Sequence, residues 1–332
     1  MNLNNKTILI TGGTGSFGEN FTEYLLNKHA ELKKLIIFSR DELKQHELKK
    51  KFIKNKFFSK LRFFLGDVRD ASRLLLAFNN VDIVIHAAAL KQVDTAEYNP
   101  SEFIKTNILG AQNIIEAAFY NNVSKIIALS TDKASSPINL YGATKLCSDK
   151  LFTSANHFLG QKKFSVVRYG NVAGSRGSVI PYFLSQKNKN SLNITDKNMT
   201  RFNISIKDSI ALVMWSIKNA FGGEIVVPKI PSYKIIDLAK AVNEKAKINI
   251  IGIREGEKIH EEMISENESL SAIDIGDKYI ILPYNRKMIQ NYYLKKFKGK
   301  KIKKSFNYNS GSNPKFLNIT ELKNIIKKIA NK

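Results

Sequence analysis

Short apolar runs rich in β-branched residues alternate with longer amphipathic stretches through the first 170 residues of the chain. The apolar runs are KTILIT (6–11), KLIIFS (34–39), LRFFLG (61–66), VDIVIHA (81–87), SKIIALS (124–130) and FSVVRYG (164–170). The amphipathic stretches between them include Phe17–His29, Asp41–Lys56, Ala71–Asn79 and Ser101–Asn121. This alternation predicts an α/β fold, a doubly wound parallel sheet with helices on both faces. Any ligand is then expected along the edge where the strands end.

The rhythm changes after Gly170, where the elements become shorter and mixed. The pattern predicts a strand at 201–206, a helix over Asp208–Phe221, a strand at 224–228, a helix over Ile235–Ala246, a strand at 248–253 and a helix near Lys258–Ser265. We therefore expect a main domain over residues 1–170, interleaved with later segments, and a smaller mixed α/β substrate-binding lid over 171–282. Residues 283–332 form a basic C-terminal segment to which the sequence assigns no role.

Composition narrows the class of protein. The 332-residue chain has no apolar run near the roughly 18 residues that span a bilayer, and its only cysteine, Cys147, excludes an internal disulfide. We therefore expect a cytoplasmic protein. The net charge is +24, but 44 of the 53 basic residues are lysines scattered along the chain. Residues 285–304 hold nine Lys/Arg and no acid, which indicates a solvated surface more often than a nucleic-acid site.

A glycine-rich loop, TGGTGSFG, follows the first predicted strand directly and opens the first helix. Its glycines permit a tight turn and let a diphosphate approach the backbone at a helix N-terminus. Because the triplet lies in a strand–turn–helix context, it predicts a dinucleotide-binding, Rossmann-type domain. The candidate cofactor contacts in this loop are Gly12, Thr14, Gly15, Ser16, Phe17 and Gly18.

The end of the second predicted strand discriminates between dinucleotides. An acid there binds the ribose of NAD, whereas a cation accommodates the 2′-phosphate of NADP. Ser39 and Arg40 precede Asp41 here, which favours NADP, although an N-cap serine followed by surface charges is the alternative. The candidate contacts are Ser39, Arg40, Asp41, Glu42, Leu43 and Lys44, with Asp67 and Val68 beside the adenine.

Tyr141 and Lys145 lie four residues apart in a predicted helix that follows a strand end, so both side chains share one helix face. The same spacing occurs by chance at Tyr24/Lys28 and Tyr292/Lys296, but those pairs are not at the predicted ligand edge. An ammonium near a tyrosine lowers the pKa of the tyrosine and makes it a usable base. Asp132 and Lys133, just upstream, form a second acid–base pair.

These residues resemble the extended short-chain dehydrogenase/reductases, with the glycine triplet, a hydroxyl at Thr131 and the YxxxK spacing. The resemblance implies that Tyr141 takes a proton from a substrate hydroxyl while a nicotinamide takes the hydride, with Asn107 nearby. Thr-Asp-Lys at 131–133 is similar to the inverting UDP-N-acetylglucosamine 4,6-dehydratases that begin pseudaminic acid synthesis. That resemblance covers most of residues 1–282, through segments 86–100, 105–111, 129–152, 168–181, 199–202, 222–232 and 250–264.

The resemblance gives the second pair a role. Oxidation at C4 acidifies the C5 proton, which Lys133 would remove, provided that burial and cationic neighbours lower its pKa. Asp132 would protonate the departing C6 hydroxyl, which needs a raised pKa. Delivery of a proton to the opposite face of C5 would give an L-arabino 4-keto-6-deoxy product. The structural alternative is that Lys133 caps a strand end and pairs with Asp132.

The resemblance also implies further contacts and a homo-oligomer. Lys91 and Asn171 are expected near the sugar and nicotinamide, and Arg201, Arg254 and Glu257 near the diphosphate and ribose of a UDP-sugar, although the two arginines could instead form surface pairs. The remaining candidate contacts of the cofactor are Ala87, Lys91, Leu129, Ser130, Tyr141, Lys145 and Val172. His86 and His260 have no partners at metal-ligand spacing, so no metal is predicted, and Cys147 is expected to pack inside its helix.

Three other functions stay open at this stage. A sugar-nucleotide epimerase or reductase would not need the acid–base pair at 132–133. The capsule-pathway dehydratase/epimerases share much of the same pattern. A dinucleotide-binding protein acting on nucleic acid through its basic tail would show affinity that falls steeply with salt.

Overall fold

A parallel sheet forms the centre of the computed structural model, which describes residues 3–158, 160, 163–283 and 287–330. Its first half contains β1 (Thr7–Thr11), α1 (Ser16–Lys28), β2 (Lys34–Ser39), α2 (Glu42–Phe52), β3 (Leu61–Leu65), α3 (Ala71–Ala77), β4 (Ile83–His86), α4 (Val93–Tyr98), α5 (Pro100–Phe103), a π-helical segment (Ile104–Leu109), α6 (Gly110–Tyr120), β5 (Lys125–Thr131), a 3₁₀ turn (Asp132–Ala134), α7 (Leu140–Ala155) and β6 (Lys163–Tyr169). All five residues of β1 and all four of β4 are buried, as expected of strands covered on both faces.

The second half of the chain supplies β7 (Asn171–Val172), α8 (Val179–Leu184), β8 (Ser191–Ile194), β9 (Thr200–Ile204), α9 (Ile206–Asn219), β10 (Ile225–Pro228), β11 (Ser232–Lys234), α10 (Ile235–Val242), β12 (Lys247–Ile250), β13 (Glu262–Ile264), α11 (Glu266–Ser269), β14 (Ala272–Asp274), β15 (Lys278–Ile281), α12 (Lys287–Lys296), β16 (Lys300–Lys301), β17 (Tyr308–Asn309) and α13 (Ile319–Ala330).

The large sheet has the order β16-β14-β15-β10-β6-β5-β4-β1-β2-β3, and the seven strands from β10 to β3 run parallel. The strand order reverses direction between β1 and β4, which is where the ligand cleft of such a sheet opens. The α/β Rossmann-type fold predicted from the sequence is therefore confirmed.

The chain after Gly170 contributes to both parts of the molecule. Strand β10 and the antiparallel strands β14, β15 and β16 extend the large sheet. A second apolar cluster lies apart from it and combines side chains of α8, α10 and α13, among them Phe183, Leu238 and Leu322. The basic C-terminal segment divides between the two parts, because α12 buries Ile289 and Tyr293 in the main core while α13 packs on α10. Tyr284, Asn285, Arg286, Asn331 and Lys332 of that segment lie outside the described residues.

One predicted helix is wrong, one is interrupted, and several other elements, such as α2, α9 and β9, have shifted ends. The helix expected near Lys258–Ser265 is wrong, because residues 262–264 form β13, paired with the distant β17, and the helix begins only at Glu266. Ser265 caps that helix reciprocally with Glu268. The helix expected over Ser101–Asn121 is interrupted by the π-helical segment. Helix α10 and strand β12 end at Val242 and Ile250, before the bounds expected for them.

Candidate active site

The glycine loop joins β1 to α1 in a geometry that only glycine permits at two positions. Gly12 has φ +65, and a Cβ there would lie 2.8 Å from the Ala88 backbone. A Cβ on Gly18 would lie 2.5 Å from Gly13 Cα. The N-cap of α1 is Gly15, which offers no capping side chain, so the first N–H groups of the helix point toward the space above the loop. This cradle fits the diphosphate of a dinucleotide.

A cavity of about 870 Å³ runs from this loop along the ends of the parallel strands. Its walls include all of the predicted cofactor contacts except Glu42 and Leu43, which are exposed on α2. The predicted substrate contacts Lys91, Asn171, Arg201, Arg254 and Glu257 also line it, as do Thr131, Lys133, Tyr141 and Lys145. Asp132 does not line the cavity, because its side chain is buried behind the wall.

The end of β2 presents one outward cation. Asp41 is the N-cap of α2, where it accepts the backbone N–H of Lys44 at 3.0 Å and pairs with the Lys44 ammonium at 2.7 Å. Ser39 does not cap the helix and instead accepts a bond from the Gln45 side chain at 3.0 Å. Arg40 is half exposed, 3.8 Å from Asp67. The Asp41 carboxylate is therefore engaged in capping α2, whereas the Arg40 guanidinium at the cavity rim can contact a ligand.

The turn after β5 brings four predicted residues into one hydrogen-bonded line. Tyr141 is hydrogen-bonded to the Thr131 hydroxyl. That hydroxyl donates to Asp132 Oδ1 at 3.0 Å, and the Lys133 ammonium donates to the same oxygen at 3.2 Å. Lys145 lies beside the line, and its ammonium donates to the Leu129 carbonyl at 2.8 Å. The two acid–base sets that the sequence places side by side are thus physically connected.

The next member of the cluster, Glu261, carries no signal in the amino-acid sequence that marks it as a functional residue. Its Oε1 accepts a bond from the Lys133 ammonium at 2.6 Å and lies 3.6 Å from Arg201 Nε. Arg201 is itself buried and also pairs with Glu257 at 3.4 Å, so it is not part of a surface pair. Glu261 is separated from Lys133 by most of the lid, and only the tertiary fold brings the two together.

The charge states of the cluster differ from two expectations. Burial opposes the Lys133 ammonium, but the carboxylates of Asp132 and Glu261 outweigh it and raise the pKa of Lys133, whereas a lowered pKa was expected. Burial raises the pKa of Tyr141 to about 12, and Lys133 rather than Lys145 is the main cation opposing that rise. The expectation for Asp132 agrees with the structure, since burial and the nearby Glu261 raise the pKa of its carboxyl.

Several supporting residues hold the cavity wall. Asn107 does not line the cavity; its amide binds both backbone groups of Leu90 at 2.9 Å and the Thr144 hydroxyl at 3.0 Å, so it fixes the loop after β4. Arg176, which the sequence did not single out, donates to the Thr14 carbonyl at 3.2 Å, and its own carbonyl accepts the Lys91 ammonium at 2.7 Å.

The remaining sequence candidates lie apart from the chemistry. His86 is buried and bonded to Thr11 at 2.8 Å, and His260 is bonded to Thr200 at 2.8 Å. Among the described residues, no group of three or more His, Cys, Asp and Glu is arranged to hold a metal ion. Cys147 is exposed on α7 rather than packed, since the buried face of that helix is occupied by its neighbours Lys145 and Ser148. No helix in the described part of the chain is long and apolar enough to cross a bilayer.

Known proteins similar to this chain cover almost its whole length. Residues 8–283 match the sequence model of a family described as polysaccharide biosynthesis protein. The chain is 51% identical, over 97% of its length and 98% of the relative's, to a Campylobacter jejuni (strain 81-176) protein named UDP-N-acetylglucosamine 4,6-dehydratase (inverting). It is 44% identical, over 97% of its length and 95% of the relative's, to a Rickettsia bellii (strain OSU 85-389) protein named UDP-glucose 4-epimerase.

Solved structures agree with the fold. The X-ray structure of Pen from Bacillus thuringiensis matches with a TM-score of 0.89 at 36% identity, over 99% of both chains. The Streptomyces venezuelae dTDP-glucose 4,6-dehydratase DesIV, with NAD and TYD bound, matches with a TM-score of 0.68 at 22% identity, over 76% of this chain and 86% of that one. The second match is a similarity of fold alone.

Proposed function

The chain belongs to the polysaccharide biosynthesis protein family, and from this premise we propose that it is an NADP-dependent lyase that dehydrates UDP-N-acetylglucosamine across C4, C5 and C6 with inversion at C5. The product would be UDP-2-acetamido-2,6-dideoxy-β-L-arabino-hexos-4-ulose, the first intermediate of pseudaminic acid synthesis. The observation that carries the proposal is the hydrogen-bonded line from Tyr141 to Lys133 on the cavity wall. An epimerase needs the tyrosine alone, whereas a dehydratase needs the second pair as well.

The glycine cradle supports a nicotinamide dinucleotide as the cofactor, and the half-exposed Arg40 favours the 2′-phosphate of NADP. Such a cofactor, when bound, supplies the hydride acceptor for C4 and returns the hydride to C6. Arg201, Arg254 and Glu257 also line the cavity and would hold the diphosphate and ribose of the UDP-sugar. Lys91 and Asn171 line the same cavity and would contact the sugar and the nicotinamide.

Tyr141 would accept the proton of the C4 hydroxyl. Its own pKa of about 12 makes a standing tyrosinate unfavourable at neutral pH, so the tyrosine releases its own proton to solvent in the cavity as it receives the new one. Lys133, on the cavity wall, would then remove the acidified C5 proton. Asp132 lies behind the wall, so its proton would reach the departing C6 hydroxyl through Thr131, which touches both the cavity and Asp132.

The first test is an NMR time course of the purified protein with UDP-N-acetylglucosamine in deuterated water, after loading with NADP or with NAD. We expect a 4-keto-6-deoxy product with L-arabino geometry and deuterium at C5, formed faster with NADP. Lys133→Ala should still oxidise C4 but slow elimination by about 10²–10⁴-fold, because a general base is missing. Lys150→Ala, which removes an exposed lysine of α7, should behave as wild type.

Two results would contradict the proposal. Conversion to the 4-epimer without loss of oxygen at C6 would indicate an epimerase, as the name of the Rickettsia relative suggests. An unchanged sugar in the presence of bound cofactor would exclude this substrate.

A further inference from the structure

If the chain is the proposed dehydratase, the acid–base pair at 132–133 must hold its protons in a particular arrangement during elimination. Elimination needs a protonated Asp132 and a neutral Lys133 together. In the structure, however, two carboxylates surround the Lys133 ammonium, at 3.2 Å for Asp132 and 2.6 Å for Glu261. If Asp132 keeps its proton to serve as the acid, the proton on Lys133 must go elsewhere. We propose that Glu261 is the positioning residue that takes this proton and so converts Lys133 into a base.

The geometry supplies a direct path. Glu261 Oε1 lies on the cavity wall, within hydrogen-bond distance of the Lys133 ammonium, and the side chain is almost fully buried. Within residues 3–158, 160, 163–283 and 287–330, Glu261 Oε2 and Asp132 Oδ2 are buried without a hydrogen-bond partner. An unpaired oxygen in such a site destabilises a carboxylate, and burial accordingly raises the pKa of Asp132. Burial also opposes the Glu261 carboxylate, but Lys133 and Arg201 outweigh it and lower the pKa of Glu261, so Glu261 rests ionised and takes the proton only when these cations are drawn away.

The backbone of Glu261 is fixed by a segment from the end of the chain. Its N–H donates to Ser310 Oγ at 2.9 Å, and its carbonyl accepts the N–H of Ser310 at 2.8 Å. The hydroxyl of Ser310 is bonded in turn to Thr200 at 2.7 Å, beside Arg201. Because Ser310 fixes the backbone at Glu261, the side chain loses less entropy when it meets Lys133, which favours a short proton-transfer distance.

The protons balance over a full cycle. At rest, Asp132 is protonated, Lys133 is an ammonium and Glu261 is a carboxylate. Transfer breaks an N–H bond of Lys133 and forms an O–H bond on Glu261 Oε1, which leaves an amine facing C5. The amine takes the C5 proton, and Asp132 gives its proton to the departing C6 hydroxyl. The proton stored on Glu261 then returns through Lys133 to Asp132, and the resting state is restored. The proton released to solvent from the C4 hydroxyl balances the one taken from solvent at the opposite face of C5.

Four charged or titratable groups face Glu261 and set this balance. Lys133 and Asp132 come from the turn after β5, Arg201 comes from β9, and Lys258 comes from the same segment as Glu261. Arg201, at 3.6 Å, stabilises the carboxylate form and opposes premature transfer from Lys133. UDP-sugar phosphates that draw Arg201 toward themselves would remove this opposition, so transfer is coupled to occupancy of the cavity.

The test is the pH dependence of elimination, measured as product formation from C5-deuterated UDP-N-acetylglucosamine so that the C5 step limits the rate. Internal transfer conserves the number of protons in the cluster, so the wild-type rate should be flat across about pH 6 to 9. Glu261→Gln cannot take the proton, which must then leave to solvent. The rate of that variant should rise about tenfold per pH unit and lie about 100-fold below wild type at neutral pH.

Two controls separate this role from a structural one. Glu266→Gln removes an exposed acid from the neighbouring α11 and should leave the rate and its pH dependence unchanged. Glu261→Asp keeps a carboxylate at a longer distance, so its rate should fall while the profile stays flat. A flat profile for Glu261→Gln, or a sloping one for Glu261→Asp, would overturn the proposal even if one of the variants folds poorly.

A second readout does not depend on activity. In protein labelled with ¹⁵N-lysine and free of substrate, the Lys133 signal can be assigned by its loss in a Lys133→Met variant. We expect the pKa of Lys133 to fall in Glu261→Gln relative to wild type, because one of its two carboxylate partners is gone. An unchanged Lys133 titration overturns the Glu261 proposal. An absent dehydratase activity beside a shifted titration overturns only the proposed function.

Discussion

His86 ends β4 inside the sheet, in contact with the ring of Phe152 and bonded to Thr11. Burial and, to a smaller extent, the nearby Lys145 ammonium together lower the pKa of this imidazole to about 3. The unfolded chain binds a proton at His86 below about pH 6.5, where the folded chain does not. Stability from this site is therefore complete above pH 6.5 and is lost as the pH falls toward 3.

The size of this loss can be measured. Between pH 7.5 and 5.0, His86 should reduce the free energy of unfolding by about 2 kcal/mol, from a shift of about 1.4 kcal/mol per pH unit. His86→Gln should remove that part of the pH dependence in urea unfolding curves, whatever its effect at pH 7.5. His46→Gln, an exposed site on α2, should leave the pH dependence unchanged. If His86→Gln and wild type lose the same stability on acidification, His86 is not the source.

At the scale of elements, two glycines of the turn between β1 and α1 have different roles, one in packing and one in binding. A methyl group on Gly18 would meet the Gly13 backbone at 2.5 Å, which neither chain segment can avoid without moving apart. On Gly15 it would meet only the Gly12 carbonyl oxygen, at 3.1 Å, but it would stand at the N-terminus of α1.

We therefore expect Gly18→Ala to lower the free energy of unfolding by about 1–3 kcal/mol and to weaken NADP binding with it. Gly15→Ala should retain most of the stability but lose affinity, because the methyl group obstructs the diphosphate. Chemical unfolding and fluorescence titration with NADPH, run on both variants, measure the two effects separately. Equal loss of stability in both variants would contradict the assignment.

The sequence predicts the elements whose stability is local. The second apolar run, 34–39, coincides with β2, and the end of β5 falls at Thr131, where the reactive residues begin. The strand at 262–264 could not be predicted from the sequence, because its partner β17 lies far along the chain. Its own residues, Glu262 to Ile264, also carry no alternating pattern. The raised pKa of Lys133 is unpredictable for the same reason, since Glu261 reaches Lys133 only through the tertiary fold.

At the scale of the whole molecule, the basic C-terminal segment is structural. Strand β17 pairs with β13, and α13 covers α10 in the second apolar cluster with Leu322 and Ile326. Its lysines at 303 and 304 are exposed. We therefore infer that the rest of the chain depends on the packing of β17 and α13, and not on the positive charge of the segment.

A chain that ends at Pro283 should expose the second cluster, unfold with a smaller dependence on denaturant and bind UDP at least tenfold more weakly, because less surface is buried and Glu261 loses Ser310. The matched control replaces Lys303 and Lys304 by Gln in the full chain and should keep both properties. Calorimetric titration with UDP and urea unfolding measure the two outcomes. Full affinity in the shortened chain, or lost affinity in the control, would contradict this role.

The bond between Glu261 and Ser310 also has a consequence for biosynthesis. Domains fold from the N-terminus as the ribosome releases them, and strands β1 to β6 with their helices are complete by Tyr169. A nascent chain can therefore form its dinucleotide cradle well before translation ends. The cluster of Asp132, Lys133 and Glu261 is complete only when Ser310 has left the exit tunnel. A chain truncated shortly before Ser310 should therefore bind the cofactor but lack a correctly held Glu261.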